Sequence, residues 1–542
     1  MPSSEDDSIK TIDFTALSKP WEAEREAIYS FIKRHISEET GKLSEDGDSL
    51  PDENRIYKDG GIRWVAGGLD GAFGHHGGAG QAEESAKKLL QALQKFLDSP
   101  DSEALAAFYA LLISEGTLGL IDPFLEEVAE AGLIEDPSLY AVAKWLLKNA
   151  PDREAIKSSI AILGVCATND DTELFIEIGK HEEFTLYASV ALLHSTDSPE
   201  EPLFELARAV DGWGRIHCIE RLQGTENEEI KNWMLRSGYK NSIMYEYTAH
   251  PCAVSGDLLA ALTVNEPDDE ILEGACEILS SMSEPGPGLE DYEDGPQATL
   301  LLLEHLDRRQ ISLIQLACVN DIKAFLLEIP AGHESEAAWN AIRERVLIIC
   351  ERIRTRPDWT ERIKQGLLSD VDHEFWAAAR AADVIGLDTW EFHLERVQHG
   401  KDSWYYLMQT QDETRVERAV SLAEELLPLD EIATGVDDQL GLGPDYRWHS
   451  ALDYVLQDLR HWPGQGMKLV RAGLNSPVTR NRNLALKALQ HWGKEKWEKS
   501  TESQLETLLE IEPNEMTRVL IADVLAGKVD DDEEYVEFEE GE

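Results

Sequence analysis

The chain has 542 residues, of which 105 are acidic and 50 are basic, and its formal net charge is −55. Its hydrophobic content of 42% is enough for a large core and excludes a wholly disordered chain. The acidity excludes binding of nucleic acid by direct phosphate contact and docking on an anionic membrane, because both require a basic surface. Residues 61–528 alone carry a charge of −39, so we expect an acidic surface on a folded body.

The N-terminus and the cysteines predict a cytoplasmic protein. The opening sequence MPSSEDDSIKTIDF has neither the basic nor the apolar region of a secretory signal. The longest apolar run, residues 104–113, is about half as long as a membrane-spanning helix. The six cysteines form no C-x-x-C pair and mostly lie in apolar helical patterns, which indicates buried, reduced thiols.

In chain order, the first predicted elements are a flexible N-terminus over residues 1–20 and an N-terminal segment over residues 21–82. This segment begins with a predicted helix over residues 21–36, where apolar residues recur at helical spacing. The following residues are rich in Gly and Asp and are predicted to be non-helical. The Gly-rich segment, residues 60–80, contains nine glycines in twenty-one residues.

From Glu83 onward the sequence is typical of successive helices separated by Asp, Asn, Gly and Pro. We predict an N-terminal helical-repeat array over residues 83–283 and a C-terminal array over residues 298–528. Residues 284–297 are acidic and rich in Pro and Gly, which predicts a linker or an insertion. Residues 529–542 carry nine acidic residues and no basic one, which predicts a disordered acidic tail.

Three helical windows share one spacing, in which a polar or basic residue is followed by a small residue at +3 and an apolar residue at +7. They are Thr185-Ala188-Leu192, Arg215-Cys218-Leu222 and Arg482-Ala485-Leu489. These windows resemble the second helix of a HEAT repeat, and the resemblance covers residues 83–527. It implies an all-α fold, an α-solenoid of stacked antiparallel helix pairs of the HEAT/armadillo type, behind a Gly-rich non-helical N-terminal segment. A non-repeating helical domain is the alternative, and the resemblance implies no particular activity.

The Gly-rich segment is the first candidate site. Closely spaced glycines allow backbone N–H groups to approach an anion, and carboxylates and imidazoles are metal ligands. The segment has no Gly-Lys-Ser/Thr sequence and no G-x-G-x-x-G order, which excludes the common phosphate loops. The candidate anion- or metal-binding residues are Asp70, His75 and His76. The favoured alternative is a structural cap, which would pack the apolar side chains of Trp64, Val65, Leu69 and Phe73 over the first repeat.

Aromatic residues near loops form the second candidate site. The chain has fourteen tryptophans, and eight of them lie between residues 359 and 497. Exposed aromatic and Arg side chains are common binding hot spots in protein interfaces. The candidate partner-binding residues, taken from KDSWYYLMQT and PDYRWHSALDY, are Tyr405, Tyr406, Tyr446, Arg447 and Trp448. For most aromatic residues of this region, packing between helix layers is the alternative.

The sequence has no G-x-S-x-G, no H-E-x-x-H and no calcium-loop motif, and its histidines are mostly isolated. We therefore assign no catalytic residue, no metal and no cofactor. The prediction is a non-catalytic interaction scaffold or binding module whose acidic surface engages a basic partner protein, and an immunity-type or inhibitor role fits this class. The alternative is an enzyme built around the Gly-rich segment, with Asp70, His75 and His76 and an unknown reaction. Acidity that reflects adaptation to high salt would imply no partner at all.

Overall fold

The computed structural model describes residues 12–56, 64–76, 83–114, 116–166, 169–283, 288–329 and 332–528, with the side chains of residues 73–76 and 169 excepted. The predicted acidic tail and most of the predicted flexible N-terminus lie outside these residues. The described chain divides into two compact units, which we call unit 1, up to residue 353, and unit 2, from residue 354. Residues 288–294, in the predicted linker, form turns before a helix that begins at Gly295.

The described part of unit 1 consists almost entirely of α-helices and connecting turns. They are α1 (Ile28–His35), α2 (Glu53–Ile56), α3 (Gly68–His76), α4 (Glu83–Asp98), α5 (Ser102–Leu112), α6 (Thr117–Glu130), α7 (Pro137–Asn149), α8 (Arg153–Cys166), α9 (Thr172–Gly179), α10 (Glu182–Ser195), α11 (Glu200–Ala209), α12 (Gly212–Arg221), α13 (Glu228–Trp233), α14 (Glu246–Ser255), α15 (Leu258–Thr263), α16 (Asp269–Ser281), α17 (Gly295–Asp307), α18 (Leu313–Glu328) and α19 (Glu336–Arg354), which ends at the division between the units.

Unit 2 is also helical throughout its described residues. Its α-helices are α20 (Trp359–Leu367), α21 (Asp372–Ile385), α22 (Trp390–Gln398), α23 (Trp404–Met408), α24 (Glu413–Leu426), α25 (Leu429–Ile432), α26 (Arg447–Leu459), α27 (Met467–Leu474), α28 (Thr479–Trp492), α29 (Thr501–Ile511) and α30 (Glu515–Ala526). In both units together, the described residues contain two isolated β-bridges and no strand. The prediction of an all-α fold is therefore confirmed for the described chain.

Short polar side chains define many of the helix starts. Asp101, Asp136 and Asp268 accept hydrogen bonds from backbone N–H groups in the first turns of α5, α7 and α16. Ser312 and Gln315 form a reciprocal capping box at the start of α18. Because these signals are local, the sequence alone can indicate where such helices begin.

Helices pack against their chain neighbours and also against the next helix but one. In unit 1, α10 packs against α9 and also against α8 and α12, and the same alternation continues from α12 through α14 and α16 to α18. In unit 2, α28 packs against α27 and also against α26 and α30. The small residues of the three windows, Ala188, Cys218 and Ala485, are fully buried in these contacts. The windows therefore mark buried helix faces, as their spacing predicts.

The first predicted helix is shorter than expected. It begins at Ile28 rather than at residue 21. Trp21 lies in the preceding turns, and its ring centroid is 4.9 Å from that of Tyr109 and 5.4 Å from that of Trp145. Its side chain therefore packs against α5 and α7 and is not part of the apolar face of α1.

The prediction that the Gly-rich segment is non-helical is wrong for residues 68–76, which form α3. The physical reason is a tertiary contact. A Cβ atom on Gly71 would lie 2.3 Å from Cδ2 of the Trp213 indole, so this position requires glycine for α3 to approach α12. Each glycine destabilises a helix by about 1 kcal/mol relative to alanine. The packing of α3 outweighs this cost.

All six cysteines lie in described residues and none forms a disulfide, and five of the six are buried. Among the described residues, no helix is both long enough and apolar enough to cross a membrane.

Candidate functional site

A buried group of charged side chains lies beside α3 in unit 1. Lys157 on α8 is only 2% exposed, and its Nζ atom is surrounded by carboxylates. It lies 2.8 Å from Oδ2 of Asp70, 2.6 Å from Oε1 of Glu183 and 3.3 Å from Oε1 of Glu154. We call Lys157 and these three carboxylates the Lys157 cluster. The sequence-predicted residue Asp70 is thus held by a lysine of the same unit.

Each carboxylate of the Lys157 cluster has a further hydrogen-bond donor. The Tyr187 hydroxyl donates to Asp70 over 3.0 Å, the backbone N–H of Gly67 donates to Glu183 over 3.1 Å, and the backbone N–H of Thr117 donates to Glu154 over 2.6 Å. Buried charges are tolerated when they are paired and hydrogen-bonded in this way. The cluster therefore fastens the segment around residues 67–70 to helices α8 and α10.

Arg153 extends this network one helical turn before Lys157. It is 5% exposed, and its Nη2 atom lies 3.0 Å from Asp52 and 2.7 Å from Glu53. Its Nη1 atom lies 3.5 Å from Glu183, which links Arg153 to the Lys157 cluster. Two cations four residues apart on α8 thus hold two separate stretches of the N-terminal segment.

Burial and ion pairing shift the pKa values of Asp70 and Glu183 in opposite directions. Burial raises the pKa of Asp70 above its ordinary value, and the charge of Lys157 offsets this only in part. Burial acts in the same direction on Glu183, but the charges of Lys157 and Arg153 outweigh it and the pKa of Glu183 is lowered. Glu183 is therefore the firmly ionised partner of Lys157, whereas Asp70 takes up a proton more readily.

A cavity of about 610 Å³ adjoins the Lys157 cluster, and its walls include Trp64, Arg153, His181, Glu182 and Glu183. Burial lowers the pKa of His181 to about 4 and raises that of Glu182 to about 7. The Oε1 atom of Glu182 also accepts a hydrogen bond of 3.1 Å from the backbone N–H of Asp211, which precedes α12. A neutral imidazole and a carboxyl group that titrates near neutrality are suited to proton transfer.

The other predicted residues of this region occupy different surroundings. His75 and His76 end α3, and their side chains lie outside the described residues, so their convergence with Asp70 stays a prediction. Trp64, Val65 and Leu69 are 38%, 62% and 43% exposed, which does not fit the alternative of an apolar cap. Among the described residues, no group of three or more His, Cys, Asp or Glu is arranged to hold a metal ion.

The first testable consequence concerns Glu182. Because its pKa is about 7 in the folded chain and 4.5 ordinarily, the folded state binds more protons between these values and stability falls as pH rises. Glu182→Gln keeps an oxygen that accepts the Asp211 N–H but cannot ionise. We expect this variant to be more stable than the parent by up to about 3 kcal/mol at about pH 8 and by less than about 1 kcal/mol at about pH 5. Calorimetric unfolding midpoints at both pH values measure the difference.

The matched control is Glu173→Gln, which changes an exposed carboxylate on α9 of the same unit. It is expected to leave the pH dependence unchanged. If Glu182→Gln follows the pH profile of the parent, the raised pKa of Glu182 is contradicted.

A second cavity of about 610 Å³ lies in unit 2. We call it the aromatic pocket and define it by five of its lining residues: Trp376, Asp402, Tyr405, Tyr406 and Tyr454. Tyr405 and Tyr406 are 37% and 41% exposed. Both are predicted partner-binding residues, and both line this pocket.

The ring planes in the aromatic pocket are inclined to one another at angles between 40° and 87°. The Tyr405 and Tyr406 rings have centroids 5.2 Å apart and planes at 87°, and the Tyr405 and Tyr454 rings are 6.0 Å apart at 72°. The Trp376 and Tyr406 rings are 5.1 Å apart at 40°. The buried His393 ring stacks on Tyr406 at 4.5 Å and 5°, which fixes the orientation of that tyrosine. The pocket walls are thus aromatic rings in several orientations. The faces of such rings attract cations.

The remaining predicted residues are not part of the pocket lining. Tyr446 and Arg447 stand at the start of α26, where the Tyr446 hydroxyl donates to Gln439 over 3.1 Å. The Arg447 guanidinium carbon lies 4.5 Å from the centroid of the Trp448 ring, and Trp448 is half-buried against the core of unit 2. The five predicted residues therefore fall into two groups.

Sequence reasoning missed Arg153 and Lys157, although a signal was present, since two cations four residues apart interrupt the apolar face of α8. It also missed Asp402 and Tyr454 of the aromatic pocket. Asp402 had a local signal because it stands three residues before Tyr405, whereas Tyr454 reaches the pocket only through packing of α23 against α26.

Comparisons of the chain with models of protein families, with curated proteins and with solved structures gave no match.

Proposed function

We propose that this protein is a non-catalytic interaction module, built from HEAT/armadillo-like stacks of helix pairs, whose acidic surface binds a basic partner protein. One observation carries the proposal. The acidic stretch, residues 241–307, contains fifteen acidic residues and no Lys or Arg in 67 positions. An immunity-type or inhibitor role is the form of this proposal in which the partner is a basic toxin or nuclease.

The net charge is concentrated in unit 1. Residues 12–353 contain 63 acidic and 28 basic residues, whereas residues 354–528 contain 30 and 21. The alternating contacts among α12, α14, α16 and α18 support a stacked arrangement in which each helix buries one face. Among these helices α16 carries several exposed carboxylates, Asp269, Glu270 and Glu273, and a negative surface of this kind attracts basic proteins.

The start of α16 shows how open this surface is. The side chains of Asp268, Asp269 and Glu270 are 57%, 99% and 77% exposed, and they pair with arginines from outside the acidic stretch, Arg236 and Arg309. Val254 and Val264, in the same stretch of sequence, are 53% and 56% exposed. Exposed apolar residues among carboxylates support a protein partner, since such residues add apolar burial to electrostatic attraction.

Charge neutralisation tests the proposal. The triple variant Glu266→Gln, Glu293→Gln and Asp294→Asn removes three exposed carboxylates from the acidic stretch. The protein is used to capture partners from a native extract at about 0.05 M and about 0.3 M salt, and the isoelectric points of the retained proteins are measured. We expect basic proteins to be retained at low salt, to be released at higher salt and to be retained less by the triple variant.

The matched control removes three exposed carboxylates of unit 2 with Glu425→Gln, Glu506→Gln and Glu510→Gln. It makes the same change in net charge and is expected to retain basic proteins nearly as well as the parent. Retention of acidic or neutral proteins only, with no dependence on salt, would contradict the proposal.

Adaptation to high salt is the non-binding explanation of the charge. A protein adapted in this way gains stability steeply in molar salt, whereas an acidic binding protein changes little. Unfolding midpoints measured across this range of salt separate the two explanations.

An enzyme built beside the Gly-rich segment is the second candidate, favoured by the cavity that holds His181 and Glu182. Its test is a panel of chromogenic ester and phosphate substrates. Hydrolysis that is lost in Glu182→Gln and kept in Glu173→Gln would support this candidate, and hydrolysis of equal rate in both variants would exclude Glu182 as its catalytic group.

A further inference from the structure

Unit 2 contains a repeated arrangement of an arginine, an aromatic ring and a carboxylate. In each case the guanidinium carbon lies 4.0–4.6 Å from a ring centroid, and the same arginine pairs with a carboxylate no more than three residues from that ring. The cases are Arg362 on Trp359 with Asp358, Arg418 on Trp390 with Glu391, and Arg396 on Phe375 with Asp372. The planar guanidinium combines stacking with a charged hydrogen bond in this geometry.

The aromatic pocket has two parts of this arrangement. Asp402 stands three residues before Tyr405, both line the pocket and both are exposed. Among the described residues, no Lys or Arg stacks on the Tyr405 ring and none forms an ion pair with Asp402. The ring and the carboxylate are therefore present, and the cation is not supplied by the described part of the chain.

The two basic residues that line the pocket both pair with a third lining residue, Asp372. Arg396 and Lys401 both pair with Asp372, at 2.8 Å and 3.3 Å. Arg396 is also stacked on Phe375 and is 8% exposed. Arg396 and Lys401 share the single carboxylate of Asp372, and Asp402 is the lining carboxylate that forms no ion pair with either of them.

We infer that the aromatic pocket receives an arginine side chain of the basic partner, with its guanidinium stacked on Tyr405 and hydrogen-bonded to Asp402. This inference rests on the proposed function and names the chemical group that unit 2 recognises. Arginine fits better than lysine because its planar, weakly hydrated head stacks on a ring while donating to a carboxylate, whereas an ammonium group loses more hydration.

The test compares two peptides of equal length and charge, one rich in arginine and one rich in lysine. Calorimetric titration of the full chain is expected to show tighter binding of the arginine peptide. Tyr405→Ala is expected to weaken the arginine peptide about three- to tenfold and to leave the lysine peptide nearly unchanged. Asp402→Asn is also expected to lower the affinity for the arginine peptide. Tyr405→Phe keeps the aromatic ring and is expected to bind the arginine peptide more tightly than the lysine peptide, as the parent does.

Phe392→Ala is the matched control, since Phe392 is a partly exposed aromatic residue on α22 of unit 2 outside the pocket lining. It is expected to leave both affinities unchanged. Equal binding of the two peptides, or an arginine preference that persists in Tyr405→Ala, would overturn the inference. Suppose that this inference is overturned but the triple variant of the acidic stretch binds both peptides more weakly, by the same factor. The proposed function then stands, and the arginine inference does not. If neither peptide binds in low salt, the proposed function fails.

Discussion

Replacing Lys157 with Met is expected to lower the free energy of unfolding of unit 1 by about 3–5 kcal/mol. Lys157 is 2% exposed and compensates Asp70, Glu154 and Glu183. Methionine has a similar volume, so the substitution removes the charge and leaves little cavity. The buried carboxylates then repel one another, and Arg153, 3.5 Å from Glu183, is the cation that stays beside them. Calorimetry or denaturant unfolding monitored by hydrogen exchange of α8 and α10 measures the loss.

The loss is expected to be smaller at about pH 5 than at about pH 8, because Asp70 and Glu183 can take up protons when the lysine is absent. Lys148→Met, on the exposed side of α7, is the control and is expected to change stability by less than about 0.5 kcal/mol. Adding Asp70→Asn and Glu183→Gln to Lys157→Met is expected to recover part of the loss. Equal stabilities of Lys157→Met and Lys148→Met would contradict the assignment of a buried charge cluster.

Replacing Arg482 with Leu is expected to have an effect of similar size in unit 2, about 3–5 kcal/mol. The Arg482 and Glu512 side chains are both fully buried and form a two-pronged ion pair, with Nε–Oε2 at 2.7 Å and Nη2–Oε1 at 2.6 Å. Arg482 also donates to the backbone carbonyls of Ser476 and Pro477. The substitution leaves a buried carboxylate and two carbonyls without these donors. Unfolding of unit 2, followed by exchange of α28 and α30 amides, measures the effect.

The double variant Arg482→Leu, Glu512→Leu separates the charge from the packing. It is expected to be more stable than Arg482→Leu alone, because the uncompensated carboxylate is gone. Arg471→Leu breaks the half-exposed pair of Arg471 with Glu498 and is expected to cost less than about 1 kcal/mol. Equal losses in the free energy of unfolding for Arg471→Leu and Arg482→Leu would show that burial does not determine how much these ion pairs contribute to stability.

The two units differ in the chemistry that they offer to a partner. Unit 1 carries most of the negative charge, and unit 2 carries the aromatic pocket with exposed Tyr405 and Tyr406. Long-range attraction depends on net charge and is screened by salt, whereas a stacked arginine acts at contact distance. We therefore expect salt to affect mainly the rate of association and the pocket variants to affect mainly the rate of dissociation.

The sequence predicted the candidate sites only in part. Tyr405 and Tyr406 were found because an aromatic pair beside a loop is a local signal of an exposed surface. Asp70 was selected as a ligand to an anion or a metal, and the structure pairs it with Lys157, 87 positions later in the chain. No local pattern could report that pairing, because it depends on where α3 packs.

The sequence by itself determined the helices and the distribution of charge. Capping residues such as Asp136 and Ser312 act within one turn, and apolar periodicity describes a single helix face, so both can be read without knowledge of the fold. The excess of carboxylates over residues 241–307 is likewise a property of composition.

Only the tertiary structure decided which charges are buried together and which residues share a cavity. It turned part of a glycine-rich segment into α3, because Gly71 lets the helix backbone approach Trp213. It also brought Tyr454 beside Tyr405, 49 positions apart in the chain. Contacts between distant residues depend on packing, and packing energies outweigh local propensities of about 1 kcal/mol or less per residue.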